Sequence, residues 1–281
     1  MKVRYFNQMP KACLTYPAIL AGALAKNSVH QLSLPKVRYE VAPCLVSAKH
    51  LVAYNKVCGF ENNGDIPAIY FAMRAQILHM YMMTQEEFPF SVLSLIHEKN
   101  QITQYKPLRA NLSYKIICYF GELIQAEHGV SIEFVVNIYQ DDDVVTQVKS
   151  TYLKPQHKNT LHQPQCLDLD SMQTLAQWRV TPQTIRHYAY ISGDFNPVHL
   201  HGLGAKAFGL EHAIAHGMWT QATMMARLDL PLSYDFTVYF ERPLYVRKDV
   251  VLLVNNSDQV SLVHAETGEI YVSGQLEIPV K

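Results

Sequence analysis

The feature that most restricts what this chain can fold into is a faint internal duplication, which changes how every later residue is read. Tyr54 and Gly59 of Tyr54-Asn55-Lys56-Val57-Cys58-Gly59 recur as Tyr188 and Gly193 of Tyr188-Ala189-Tyr190-Ile191-Ser192-Gly193, 134 residues further on. Tyr105-Lys106-Pro107-Leu108 is echoed by Glu241-Arg242-Pro243-Leu244 at a spacing of 136, so the register drifts by only two residues. At 281 residues the chain exceeds the usual size of one domain and suits two modules of about 140 residues each.

Each copy repeats one order of elements. A dense apolar array, residues 66–83 in the first copy and 213–228 in the second, carries few charges and predicts a helix buried on nearly every side. Runs rich in β-branched and aromatic residues follow, at 110–119, 130–139 and 144–153, then at 250–254, 259–265 and 270–278. They are separated by turn signals such as Asp141-Asp142-Asp143 and Thr267-Gly268, which predicts antiparallel strands with tight connections. The Asp run reads as a solvated turn without calcium-loop spacing. Helix-wrapped antiparallel sheets in tandem make an α+β protein. Residues 155–165 are polar, carry two prolines and lack periodicity, so the expected organisation is a first domain over 1–154, a linker over 155–167 and a second domain over 168–281.

Composition excludes several functions. With 24 basic and 24 acidic side chains and 49% hydrophobic residues, the chain predicts a sizeable core and no bulk attraction to nucleic acid or anionic membrane. Five scattered cysteines without a CxxC pair suit a reducing cytoplasm. Residues 12–25 form an apolar run behind Lys2, Arg4 and Lys11, interrupted by Thr15, Tyr16 and Pro17; this argues against a cleaved leader, and the run is too short to span a bilayer.

The chemistry gathers in the second copy. Thr181-Pro182 predicts an N-cap and first helical position, and the short helix they open should stop at Ser192-Gly193. Gly193-Asp194-Phe195-Asn196-Pro197-Val198-His199 follows, where Asn196-Pro197 favours an extended or turn conformation and sets a carboxylate and an imidazole on an irregular loop. Then come Ala205-Lys206-Ala207-Phe208-Gly209-Leu210 and Ile214-Ala215-His216-Gly217-Met218.

This stretch of about 30 residues resembles the hydratase 2 signature of MaoC-like dehydratases and (R)-specific enoyl-CoA hydratases, with weaker agreement through residues 240–244. The resemblance implies a double-hotdog fold and an acyl-CoA or acyl-carrier-protein thioester as substrate. It further implies reversible hydration of a trans-2-enoyl thioester to a (3R)-3-hydroxyacyl thioester, with no cofactor and no metal. By the same resemblance Asp194 and His199 are the catalytic pair, Asn196 orients the site, and the Gly217 N–H faces the thioester oxygen. The chemistry is consistent, since adding water needs a base for the water and an acid for C2, and a helix start stabilises an oxyanion. One departure lies after His199, where many relatives place a residue and then Asp-Pro or Ser-Pro but this chain has Leu200-His201-Gly202. In the first copy Phe60 falls opposite Asp194 and Asp65 opposite His199, and only Asn62 keeps its type, so that copy has no dyad. A monomeric pseudo-dimer or a homodimer would serve such a chain.

Competing readings have definite signatures. His212 and His216 at helical spacing suggest a metal, but no glutamate completes an HExxH pattern. His216 suits a hydrogen-bonded core residue as well as a catalytic one and stays outside the catalytic set, and Cys58 lacks a neighbouring base. A hotdog thioesterase would place a carboxylate on the central helix, and residues 213–228 contain none. A non-catalytic acyl-binding protein is the third alternative. Lys206, Arg242 and Arg247 are the candidate contacts for CoA.

Overall fold

Buried helices followed by antiparallel strands do recur in the computed structural model, which describes residues 1–10, 32–156 and 171–278. The apolar run at 12–25 and most of the expected linker lie outside the described residues. Among the described residues, 1–47 and 64–156 make one unit, and 48–63 with 171–278 make another. A segment from the first half of the sequence is therefore part of the second unit.

In the first unit the strands are β1 (Lys2–Phe6), β2 (Val37–Leu45), β3 (Ile96–Gln104), β4 (Ser113–Ala126), β5 (Gly129–Gln140) and β6 (Asp143–Pro155). They lie in the order β1-β2-β4-β5-β6-β3, antiparallel except for the β1/β2 pair. The acidic run makes the β5/β6 turn, with Asp141 at φ 55° and Asp143 ion-paired to Lys106. The central helix is Ala68–Met83, preceded by Pro67 at its N-cap. It packs on β3, β4 and β5, and its Ile69, Phe71, Leu78 and Met82 are fully buried. Each such side chain contributes about 1.5–3 kcal/mol on burial, which is why the helix lacks a polar face.

The second unit's sheet contains β7 (Gln173–Arg179), β8 (Tyr234–Phe240), β9 (Asp249–Val254), β10 (Gln259–His264) and β11 (Ile270–Glu277). Their order is β8-β11-β10-β9-β7, all antiparallel. Its helices in chain order run from α1 (Ala48–Cys58), with α2 being the first unit's Ala68–Met83, through α3 (Pro182–Ser192), α4 (Pro197–Leu200) and α5 (Gly202–Ala207) to α6 (Gly217–Met225). Eight of the nine α6 residues are buried, with Trp219, Ala222 and Met224 in the core. Among the described residues no helix is long and apolar enough to cross a membrane.

The repeated Tyr and Gly mark equivalent helices. α1 and α3 both end at a left-handed glycine, Gly59 at φ 91° and Gly193 at φ 76°, where a side chain would be strained. Tyr54 and Tyr188 are both fully buried with ring centroids 6.3 Å apart. α1 is tied in by the His50 Nε2–H donating to the Ile191 carbonyl at 2.9 Å and by the Trp219 indole N–H donating to the Val57 carbonyl at 3.1 Å. Cys58 is buried there with its thiol pushed far up by desolvation, which makes it a small core residue and no nucleophile.

Candidate active site

The loop with the carboxylate is framed by two caps. Thr181 Oγ1 accepts the Thr184 N–H at 3.1 Å with Pro182 opening α3, as its sequence predicts. The turn at Gly193 then delivers Asp194, whose Oδ1 accepts the Asn196 N–H at 3.2 Å. The sequence predicts no helix at Asn196-Pro197, and here the structure differs: Pro197 is the first residue of the short helix α4, which carries His199. Asn196 Oδ1 accepts the Val198 N–H at 3.3 Å and caps that helix, so the asparagine sets the imidazole's position through the backbone.

His199 is anchored from the other side by Ile214, whose carbonyl lies 3.0 Å from Nδ1. A carbonyl only accepts, so Nδ1 carries the proton and Nε2 is left as the basic nitrogen. The same reasoning applies to His216, whose Nε2 lies 3.0 Å from the Asp194 carbonyl, leaving Nδ1 as a lone pair. That Nδ1 is buried without a hydrogen-bond partner. The two imidazoles stack at 3.7 Å with planes 28° apart. One nitrogen of each ring and a carboxylate oxygen of Asp194 lie within 4.8 Å of one another. Burial holds the His199 pKa below the ordinary histidine range against the pull of Asp194. Burial and then the neighbouring His199 bring His216 down to about 3. Both rings are neutral at pH 7, beside a carboxylate that is 8% exposed.

His216, for which the sequence leaves a core and a catalytic role open, is both buried and hydrogen-bonded and a member of this cluster; the His-Gly step ahead of a buried helix was the available signal. The helix expected from 213 begins only at Gly217, because residues 213–215 run extended. Ile214 bridges Tyr245, the Ala215 N–H donates to the Leu244 carbonyl at 2.7 Å, and the Val246 N–H donates to the Ala213 carbonyl at 3.0 Å. His212 and His216 therefore lack the helical spacing that suggested a metal. Asp194 with two histidines is still a donor set that transition metals use.

Gly217 opens α6, and a Cβ there would meet Phe240 ring carbons at 3.1 Å. The ring would have to give by a few tenths of an ångström to admit a side chain there, and as at any helix start the first-turn N–H groups of α6 have no intrahelical partners. In the first copy the equivalent positions serve other ends. Phe60 stacks on Tyr54, Asn62 accepts a hydrogen bond from the Asn55 amide, and Asp65 pairs with Arg109.

The family described as "MaoC like domain" matches residues 170–241. The 3-hydroxyacyl-thioester dehydratase X of Mycobacterium tuberculosis is 29% identical over 231 residues, 80% of this chain and 82% of that protein. The crystal structure of the M. tuberculosis protein HtdX superposes with a TM-score of 0.76 at 26% identity, covering 86% of this chain and 100% of that one. A further M. tuberculosis protein, described as having a double hotdog fold, superposes at 0.56 with 8% identity, over 86% of this chain and 95% of that one, and shares the fold alone.

Proposed function

We propose that this chain, a double-hotdog protein carrying a MaoC-like dehydratase domain, is an acyl-thioester hydro-lyase. It interconverts a trans-2-enoyl-CoA and a (3R)-3-hydroxyacyl-CoA through Asp194 and His199. The observation that carries this reading is the convergence of the Asp194 carboxylate with a neutral imidazole whose tautomer is set by the Ile214 carbonyl.

In the hydration direction a water lies between the two groups. Its oxygen bonds to C3 of the enoyl chain while one of its protons passes to the dyad. A proton from the dyad completes C2, so both side chains return to their starting state, and each transfer is worth about 10²–10⁴-fold. Negative charge that builds on the thioester oxygen is met by the α6 N-terminus at Gly217. The name of the M. tuberculosis relative, a 3-hydroxyacyl-thioester dehydratase, supports the substrate class. The reaction as written consumes no redox cofactor. α6 contains no carboxylate, which disfavours thioester hydrolysis.

The test is a crotonyl-CoA assay that follows loss of the conjugated-enoyl absorbance together with free thiol. Hydration without thiol release is the expected result. Thiol release without hydration would sink the reading, as would full activity in Asp194→Asn.

A further inference from the structure

Asp194 lies between two helices, and side chains instead of regular secondary structure satisfy its backbone. Its N–H donates to Ser192 Oγ at 3.2 Å, and the Ser192 hydroxyl donates in turn to the Tyr188 carbonyl at 2.8 Å. Its carbonyl accepts the His216 Nε2–H at 3.0 Å. The hold on Asp194 therefore depends on which nitrogen of His216 carries the proton. With the proton on Nδ1, the Nε2 lone pair would face the lone pairs of the Asp194 carbonyl and repel it. The hydrogen bond made by one ring nitrogen decides the state of the other. On His216 the other nitrogen is the buried Nδ1, which has no partner among the described residues.

A second orphan belongs to the ring packed against it. Tyr188, in α3, is fully buried, and its ring meets His216 with centroids 5.0 Å and planes 55° apart. Its hydroxyl is also buried without a hydrogen-bond partner among the described residues. Burial above all, with Cys58 and Asp194 adding to it, raises the pKa of this phenol, so it keeps its proton beside the catalytic carboxylate. The hydroxyl is a donor and the Nδ1 lone pair an acceptor. Leaving either one unpaired costs stability, and a phenylalanine at 188 would fill nearly the same volume without that cost. A donor and an acceptor orphaned on touching rings are the partners that an internal water takes.

We infer that Tyr188 is a positioning residue of the hydration site: one internal water accepts from its hydroxyl and donates to His216 Nδ1, which keeps the His216 proton on Nε2 and so holds Asp194 in place. The inference rests on the hydro-lyase reading above and adds how the carboxylate is kept in register. His216 also stacks on His199 at 3.7 Å, so a loosened His216 ring disturbs both members of the dyad. Tyr188 acts through His216 alone and touches no substrate.

The experiment compares wild type, Tyr188→Phe, His216→Phe and the double variant. Long-range ¹H–¹⁵N correlation spectra of protein with labelled histidines report which ring nitrogen carries the proton, and the signals missing from His216→Phe identify His216. Turnover of crotonyl-CoA and thermal unfolding are measured on the same proteins. The expected result is the Nε2–H tautomer of His216 in wild type and a mixture of both tautomers in Tyr188→Phe. In that variant kcat should fall about tenfold, the upper end of what one hydrogen bond contributes. Its KM should stay within twofold, and its unfolding midpoint within about 4 °C of wild type. In the His216→Phe background the Tyr188→Phe change should alter kcat less than twofold, because both residues act through one link. An Nδ1–H tautomer in wild type, or an unchanged tautomer in Tyr188→Phe, overturns the inference. So do an unchanged kcat in an active enzyme, losses that multiply in the double variant, and a loss of activity that tracks a larger loss of stability. A tautomer shift in Tyr188→Phe, in a protein whose wild type hydrates no thioester, supports the Tyr188–His216 link and removes the hydro-lyase reading instead.

Discussion

Two histidines buried neutral should make this protein sensitive to mild acid, and the size of the effect follows from their surroundings. His79 of α2 is 1% exposed, packs on Phe134 at 4.6 Å between centroids, and lies 3.3 Å from the Tyr152 hydroxyl through Nδ1. Burial, and then the nearby His97, brings its pKa down to about 3. In the unfolded chain the value returns to about 6.5. Because the folded value is the lower one, the unfolded state takes up the proton first, so stability is complete above about pH 6.5 and falls as the pH drops towards 3. Between pH 7 and 5 the unfolded state gains about 1.4 pH units' worth of binding, or about 2 kcal/mol for His79. His216 adds a similar amount in the second unit. His79→Gln, a neutral side chain that still hydrogen-bonds, should cost stability at pH 7 yet shrink the pH 7-to-5 loss by about 2 kcal/mol. Urea unfolding followed by circular dichroism reads this, since both tryptophans, Trp178 and Trp219, lie in the second unit and fluorescence would miss the first. A variant that loses as much stability as wild type over that interval would refute the reasoning.

Other perturbations address the site. Asp194→Asn and His199→Ala should each lower kcat for enoyl-CoA hydration by about 10²–10⁴-fold with unchanged circular dichroism; an unfolded protein would place the residues in the core instead. His216→Phe keeps a ring to stack on His199 but removes the N–H given to the Asp194 carbonyl. Its kcat should fall while its KM holds, and a parallel rise in KM would argue for a binding role. Gly217→Ala drives a methyl against Phe240 and should cost about 1–3 kcal/mol in thermal unfolding along with most activity. The acid limb of the kcat/KM profile should lie below the ordinary histidine range, because burial keeps His199 neutral; a limb above that range contradicts a neutral imidazole.

Much of the fold was legible because it is periodic or locally coded. The six strands read from sequence are there, together with the α3 cap, the Gly193 stop and the helix after Pro67. Five strands, β1, β2, β3, β7 and β8, were not read from the sequence, and for β3 and β7 the reason is that little apolar alternation marks them: Ile96–Gln104 is largely polar, and Gln173–Arg179 is mostly exposed. The start of α6 was placed too early, since residues 213–215 are as apolar as a helix interior and only their pairing with residues 244–246 makes them extended.

The sequence by itself determined the duplicated pattern and the Asp194/His199 motif, since repeats, caps and left-handed glycines act over a few residues. Tertiary structure alone decided which unit receives α1 and that His216 stacks on His199. Those outcomes depend on contacts between residues far apart in the chain, such as His50 with Ile191 and Trp219 with Val57. No local spacing encodes such contacts; the packing that buries both partners does.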